Sequence, residues 1–349
     1  MERQERNGAR VSNSKKGKRE MPRTNQTGTK RKSPLLTVLA IFAVLVIGAY
    51  AAFQILVPAP EMVEPNKIVG EQETEIQTGG DGLERRKGVY NILLAGTDFG
   101  GTRTDTMIVM SYDIPNQKVG MVSVPRDTLV ERPWGKNPRL VYGPGGIDAR
   151  REEISDLLGI PIDYYAKVDL DAFIALVDEV GGVDFYVPCD MDYDDPAQNL
   201  SIHFKEGMQH LNGQQAMEVC RFRKNNNGGG YTDVGRTQTQ QQLLVALAKK
   251  MISFSTLTNM QGFIDIFNTY VETDLSATDM LYFGSRAVGL DTTNGVETAT
   301  LEGNGTVYYG GYSYCYALYT EKAVDVVNRL LNPYTRALTA ADMNILGGY

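Results

Sequence analysis

An uncharged apolar run of 23 residues, 35–57, constrains this chain more than any other stretch of its sequence. A backbone inside a bilayer must satisfy its own hydrogen bonds, so a single run of this kind can cross only as a helix. Such a helix would span about 34 Å, against a hydrocarbon core of about 30 Å. We therefore predict a transmembrane helix over residues 34–57. The competing interpretation is a cleaved signal peptide, because Ala49-Tyr50-Ala51 fits the small-residue cleavage pattern, but the apolar run continues past that site.

Charge is distributed unevenly on the two sides of this run. Residues 1–33 carry 11 Lys and Arg against 3 Asp and Glu, and the other 316 residues carry 24 against 39. Basic residues mark the cytoplasmic side of a membrane helix. The pattern predicts a single-pass type II protein of the cell membrane, with a disordered basic tail inside and an acidic body outside. An acidic body argues against a nucleic-acid partner.

Residues 58–87 combine Pro, Gly, Glu and Gln with few large apolar side chains, which is typical of a linker. The folded body is predicted over residues 88–349. Its three cysteines form no C-x-x-C pair, which argues against a zinc site, and the count of two His excludes a His-rich metal site. One disulfide with one remaining thiol stays open.

Apolar periodicity predicts an α/β body. Strands are predicted at 89–95, 106–112, 119–124, 164–168, 183–187 and 296–301, and helices at 147–158, 171–180, 237–252, 259–270, 277–288 and 318–331. The short connection at 113–117 indicates a hairpin. Strands that alternate with helices of this length favour a central, mostly mixed β-sheet flanked by helices on both faces.

Two arginines and a Gly-rich loop mark a candidate anion site. On an extended segment Arg221 and Arg223 would point to the same face. The composition of the loop at 225–230 predicts neither helix nor strand. Arg guanidinium groups fit phosphate oxygens two bonds at a time, which predicts a di- or polyphosphate pocket. The alternative is a surface segment whose arginines pair with carboxylates.

The helix after the loop adds three polar groups. Asp233 is predicted as its N-cap, and Arg236 and Gln240 are four residues apart and share a helix face. A helix N-terminus also favours an anion.

Two aspartates fall at strand ends. Asp98 follows the first strand, Arg103 and Asp105 begin the second, and Arg126 follows the third. If the second strand is antiparallel to the first, the two aspartates are neighbours. Adjacent carboxylates repel unless a cation joins them, and Mg²⁺ is the simplest hard cation beside a phosphate.

Seven motifs occur in order over residues 88–245. They are NILLAGTD at 91–98, RTDTM at 103–107, SVPRDT at 123–128, GGVD at 181–184, LNGQQA at 211–216, RFR at 221–223, and DVGR at 233–236 with Gln240-Gln241. Together with the membrane anchor, this set resembles the LytR–CpsA–Psr family of cell-wall enzymes. The resemblance implies a phosphotransferase of a Gram-positive-type envelope. Such an enzyme moves a glycopolymer from its undecaprenyl-pyrophosphate carrier to peptidoglycan through a phosphodiester.

The same resemblance assigns roles by position. It implies that Asp98 and Asp105 bind Mg²⁺ and that Arg103 lies beside that metal site. The implied pyrophosphate contacts are Arg103, Arg126, Arg221, Arg223, Arg236 and Gln240. Asp233 matches an acidic residue near the reacting phosphate, and we interpret it as the general base that acts with Arg126 and Arg221.

Two positions depart from the family pattern. Where the family often has a Lys-Ile/Leu-Asn motif, this chain has Arg139-Leu140-Val141, and Thr239 stands where an Arg commonly precedes the Gln pair. Two rival functions also remain, a polyprenyl-pyrophosphate hydrolase and a non-catalytic module that binds the lipid or polymer. The Tyr-rich segment 308–319 is predicted to serve packing rather than sugar contact, and the leucines that follow Gln242 are predicted to be core rather than a lipid groove.

Overall fold

The computed structural model describes residues 57–63, 83–97, 104–132, 137–140, 146–230, 233–252, 265, 267–287 and 289–346, all within one compact unit of residues 54–349. The predicted basic tail 1–33 lies outside these residues, and so does the predicted transmembrane helix 34–57 apart from Val57. Within the described part of the chain, no helix is both long and apolar enough to cross a membrane.

The body alternates strands and helices. The strands are β1 (Val89–Thr97), β2 (Thr104–Asp113), β3 (Lys118–Ser123), β4 (Tyr164–Val168), β5 (Val183–Val187), β6 (Met191–Asp195), β7 (Leu200–Phe204), β8 (Gly207–Leu211), β9 (Val271–Thr273), β10 (Val296–Thr300), β11 (Gly303–Tyr309) and β12 (Tyr312–Leu318). The helices are α1 (Gly146–Leu158), α2 (Leu170–Glu179), α3 (Gly213–Arg221), α4 (Asp233–Ile252), α5 (Ala277–Ala287) and α6 (Thr320–Leu330). Most of the predicted helix 259–270 lies outside the described residues.

Six strands form one mixed sheet in the order β10-β3-β2-β1-β4-β9. The pairs β1–β2, β2–β3 and β4–β9 are antiparallel, and β1–β4 and β3–β10 are parallel. The predicted mixed sheet and the predicted β2–β3 hairpin are therefore confirmed.

Helices cover both faces of this sheet because its strands alternate apolar side chains between the two sides. On one face, Leu93 and Ala95 of β1 pack with residues of α1 and α6. On the other, Ile92 packs with Tyr282 and Phe283 of α5. The predicted flanking of both faces is confirmed.

A second hydrophobic core lies beside the sheet. It joins α2, α3 and α4 to two small antiparallel sheets, β5–β8 and β6–β7. Leu243 and Leu247 of α4 are 1% and 5% exposed inside it, which confirms the prediction that the leucines after Gln242 are core residues.

Both ends of the segment predicted as a linker contact the body. Arg85 Nη1 lies 2.6 Å from Asp163 Oδ1, and the two side chains are 4% and 0% exposed. The same carboxylate accepts hydrogen bonds from the backbone N–H groups of Val63 and Asn91, each at 2.8 Å. Tyr164 Oη also donates to the carbonyl oxygen of Glu61. Residues 60–63 are thus held against the sheet.

Candidate active site

The two predicted metal-binding aspartates belong to the end of the β1–β2 pair where β1 ends and β2 begins, which we call the β1–β2 edge. Gly96 pairs with Thr106 and Thr97 pairs with Thr104, so Asp105 is the extra residue of a β-bulge. Asp98 directly follows Thr97. The antiparallel pairing on which the prediction of neighbouring aspartates rests is therefore confirmed. The structure describes only the backbone of Asp105, and neither Asp98 nor Arg103 lies within the described residues.

Gln240 of α4 joins this edge to the second core. Its Oε1 accepts a hydrogen bond from Thr106 Oγ1 at 3.4 Å, one residue beyond Asp105. Its Nε2 donates to the carbonyl oxygen of Cys220 at 3.2 Å, one residue before Arg221. The Gln240 amide therefore links the neighbour of Asp105, a predicted metal ligand, to the neighbour of Arg221, a predicted phosphate contact.

Arg221 lies at the C-terminal end of α3. The prediction that Arg221 and Arg223 share the face of an extended segment is wrong, because Arg221 is the last helical residue and the fully buried Phe222 is the C-cap. Arg221 Nη2 donates to Gln198 Oε1 at 2.7 Å, and Arg223 is exposed. A cation at a helix C-terminus also complements the helix dipole.

The loop that follows is neither helix nor strand, as predicted, but it is joined to β6. Asn225 Oδ1 accepts from the backbone N–H of Asp192 at 2.7 Å, and Asn226 Oδ1 accepts from that of Asp194 at 2.8 Å. Asparagine amides therefore substitute for a partner strand at this edge of the sheet.

Helix α4 begins at Asp233, so the predicted N-cap residue stands at the observed helix start. Arg236 and Gln240 are one turn apart on this helix, and the structure describes only the backbone of Asp233 and Arg236. Thr239 is 2% exposed, and its Oγ1 donates to the carbonyl oxygen of Gly235 at 3.0 Å. This position therefore contributes no charge to the candidate site.

Arg126 lies in the loop after β3, within a small ionic cluster. Its Nε is 3.5 Å from Asp127 Oδ2, and Arg139 Nη1 is 3.8 Å from the other oxygen of Asp127. The Arg139 guanidinium also lies over the Tyr312 ring, 5.6 Å from its centroid. All three charged side chains are partly exposed, so two guanidinium groups lie beside one carboxylate at the protein surface. Arg139 therefore joins the candidate site.

No disulfide joins Cys189, Cys220 and Cys315, all of which are thiols. Burial raises the pKa of the Cys220 thiol to about 12, so it stays protonated next to Arg221.

The structure adds Gln198, Thr106 and Asp127 to the site. Thr106 and Asp127 lie inside motifs that already marked their neighbours. Gln198 carried no sequence signal, because its contact with Arg221 joins residues 23 apart.

Comparison with known proteins identifies relatives of this chain. A family model described as the LytR_cpsA_psr family matches residues 61–331. The polyisoprenyl-teichoic acid–peptidoglycan teichoic acid transferase TagV of Bacillus subtilis is 30% identical over 291 residues, covering 79% of this chain and 73% of TagV. The corresponding transferase TagU of Bacillus anthracis is 30% identical over 311 residues, covering 86% of this chain and 97% of TagU.

The fold agrees with these relatives. The crystal structure of Bacillus subtilis TagV matches with a TM-score of 0.61 at 30% identity, covering 72% of this chain and 100% of that chain. Since the family model matches well over half of the sequence, the chain belongs to the LytR–CpsA–Psr family.

Proposed function

We propose that this protein transfers a glycopolymer from a polyisoprenyl-pyrophosphate carrier to peptidoglycan through a phosphodiester bond. The observation that carries the proposal is the double hydrogen bond of Gln240, which ties the β1–β2 edge at Thr106 to the end of α3 at Cys220. It brings acidic positions next to basic ones, which is what a metal-assisted reaction of a pyrophosphate requires. The names of TagV and TagU specify teichoic acid as their polymer and peptidoglycan as their acceptor.

Arginines would bind the pyrophosphate. Arg126 and Arg139 lie in loops beside the central sheet, and Arg221 lies at the end of α3. Guanidinium groups held on separate elements neutralise charge on the leaving lipid phosphate without having to reorganise during the reaction. We assign the same role to Arg103, Arg223 and Arg236, and we assign to Gln240 a neutral amide contact with the phosphate.

Asp98 and Asp105 would hold Mg²⁺. The β1–β2 register supports this assignment, because the bulge sets Asp105 opposite the residue that precedes Asp98. Two carboxylates with phosphate oxygens form the hard oxygen ligand set that Mg²⁺ prefers. When bound, the ion would supply charge neutralisation at the phosphoryl oxygens. In the residues whose side chains are described, no three acidic, His or Cys side chains cluster as a metal site.

The chemical step is a displacement at phosphorus. An acceptor-sugar hydroxyl oxygen attacks the phosphorus that carries the polymer, and the bond from that phosphorus to the bridging pyrophosphate oxygen breaks. Lipid monophosphate leaves, and the hydroxyl proton passes to a base, which we assign to Asp233 at the start of α4. Asp233→Asn should retain donor binding but lose turnover; near wild-type turnover in a folded variant would refute the role.

An open cavity beside α4 is our candidate site for the polyisoprenyl chain. It measures about 580 Å³ and lies between α4, the β5–β8 sheet and β10. Phe185, Met208, Val245 and Ala246 form its apolar part, and its polar lining includes Asp184 and Lys250. A cavity of this size is in the usual range for a ligand site. Val245→Trp should raise the KM for a long-chain donor more than the KM for a short-chain donor.

The N-terminal run 35–57 would anchor the enzyme. We propose that it crosses the cell membrane with the basic tail inside and residues 58–349 outside, where both the lipid carrier and the peptidoglycan are accessible.

A reconstituted reaction tests the function. The full chain in detergent is given a lipid-pyrophosphate-linked saccharide, Mg²⁺ and peptidoglycan oligomers, and products are read by mass spectrometry. We expect a saccharide–phosphate–peptidoglycan product that disappears with EDTA and in Arg221→Ala. Arg329→Ala is the matched control, because Arg329 also lies in the last turn of a helix but pairs with Glu297 on the surface.

The other outcomes separate the rival functions. Free saccharide phosphate as the sole product, with a competent acceptor present, would establish a hydrolase. Lipid that is bound but unchanged would establish a binding module.

A further inference from the structure

The β11–β12 hairpin has a composition unlike that of the rest of the chain. Residues 303–318 contain five Tyr, four Gly, one Asn, one Ser and one Thr but no charged residue, whereas charged residues make up 22% of the whole sequence. Surfaces rich in Tyr, Ser, Gly and Asn are typical of recognition sites, because Tyr offers a large, rigid, amphipathic contact. The composition favours a binding surface that uses no charge.

Two tyrosines of the hairpin face solvent. Val307 pairs with Cys315, and both side chains are buried. Their neighbours Tyr308 and Tyr314 therefore point to the opposite side of the hairpin, where they are 68% and 75% exposed. The prediction that this segment serves packing is wrong for these two residues.

Tyr314 is held in a strained conformation. Between Val307 and Tyr309 one residue opposes two on β12, and the bulge gives Tyr314 a φ of 60°. This region costs a side-chain-bearing residue about 1–2 kcal/mol, and Gly occupies it freely. The chain does use Gly at 310 and 311, which also have positive φ in the same hairpin. A tyrosine kept at such a position points to a role for its ring, since strain of this kind clusters at functional sites.

The hairpin is attached to the loop that carries Arg126. The backbone N–H of Tyr316 donates to the carbonyl oxygen of Asp127 at 2.8 Å, and the N–H of Leu129 donates to that of Tyr316 at 3.0 Å. Tyr312, at the base of the turn, receives the Arg139 guanidinium over its ring. The exposed tyrosines therefore belong to a hairpin that flanks the proposed phosphate-binding arginines.

We propose that Tyr308 and Tyr314 form the docking surface for the uncharged glycan strand of the peptidoglycan acceptor. This inference rests on the proposed function. Sugar C–H groups pack on the electron-rich faces of aromatic rings, and a phenol hydroxyl at the rim pairs with sugar hydroxyls. The polyanionic donor, by contrast, suits Arg126, Arg139 and Arg221. Charge complementarity therefore assigns the uncharged hairpin to the acceptor.

Binding of the acceptor is measured apart from transfer. The full chain in detergent is titrated with uncharged N-acetylglucosamine oligosaccharides, which present the sugar backbone without the free lactyl carboxylates that removal of stem peptides would leave, and is sedimented with sacculi stripped of teichoic acid. We expect affinity for both to fall about tenfold in Tyr308→Ala/Tyr314→Ala, which corresponds to two aromatic contacts of ordinary strength. Tyr270→Ala is the control, because Tyr270 is also exposed, at 44%, but precedes β9 at the edge of the central sheet that lies away from β3.

Tyr314→Gly separates the ring from the backbone. Gly suits the positive φ, so this variant should fold at least as well as the wild type and still bind the glycan more weakly. In the transfer assay, both variants should raise the KM for the acceptor and leave the KM for the donor unchanged. Unchanged glycan affinity, or a raised KM for the donor alone, would overturn the inference. The two proposals can fail separately. If the wild-type chain shows no transferase activity but binds the glycan through the two tyrosines, the proposed function is refuted and the docking surface is supported.

Discussion

The buried ion pair between Arg85 and Asp163 offers the sharpest test of how residues before β1 are attached to the body. Asp163 accepts four hydrogen bonds, two from Arg85 and one each from the backbone N–H groups of Val63 and Asn91. Removing one partner of a buried pair leaves the other charge uncompensated, which costs about 3–5 kcal/mol. Asp163→Ala should therefore lower the free energy of unfolding by about 4 kcal/mol, a large share of the 5–15 kcal/mol of a typical domain.

Urea unfolding followed by circular dichroism at pH 7 measures this loss. The double variant Arg85→Met/Asp163→Leu removes both charges, so we expect it to cost at least about 2 kcal/mol less than the two single changes added together. Glu272→Ala is the matched control. Glu272 meets Lys167 at 2.7 Å, but both side chains are partly exposed, so its loss should cost under about 1 kcal/mol. A cost of Asp163→Ala as small as that of Glu272→Ala, or additive single changes, would refute the reasoning.

Three further changes test local features of the fold. Burial raises the pKa of Tyr164 to about 12, so the stability that depends on its neutral form is present below pH 10 and is lost as the pH rises from about 10 to 12. Tyr164→Phe should flatten this loss, which urea unfolding at pH 8, 10 and 11 measures. A Cβ at Gly213 would lie 2.2 Å from the carbonyl oxygen of Ile174, so Gly213→Ala should destabilise by about 2–3 kcal/mol, whereas Gly284→Ala, in a helix position with open space, should be neutral or stabilising in the same assay. Tyr314→Gly should raise the free energy of unfolding by about 0.5–1 kcal/mol, because relief of backbone strain exceeds the added entropy of the unfolded chain. The control, Tyr308→Gly, should lower the free energy of unfolding. A loss of stability in Tyr314→Gly would show that the ring contributes packing.

Strand β1 of the central sheet could be predicted because it is a continuous apolar run whose residues are largely buried on both faces. β4 of the central sheet and β5 of the separate β5–β8 sheet have the predicted bounds, since each is a short, mainly apolar segment that begins after a polar or glycine residue. β6 could not be predicted in this way. Three of its five residues are Asp, and its pairing depends on β7 and on Asn225 and Asn226, which lie more than 30 residues away. Local periodicity carries no information about such a contact.

Helix α3 was missed although its start carried a recognisable signal. Asn212 accepts from the backbone N–H of Gln215, whose side chain accepts from the N–H of Asn212, which together form a capping box. The polar, Gln-rich first turn masks this pattern, so apolar periodicity predicts no helix there and leaves Arg221 on an extended segment. The set of site residues stays a prediction, whereas the predicted geometry of Arg221 relative to Arg223 is wrong.

The candidate site depends on how the two hydrophobic cores are joined. Helix α4 buries Leu243 and Leu247 in the second core, while Gln240 on the same helix reaches across to Thr106 of the central sheet. Arg126 belongs to the sheet side and Arg221 to the side of the second core, so the distance between these two guanidinium groups changes with any shift between the cores. A pyrophosphate bound by both arginines would link the two cores electrostatically. Donor binding should therefore stabilise the packing of α4 against the sheet, because a ligand that binds only the assembled arrangement shifts the equilibrium toward it.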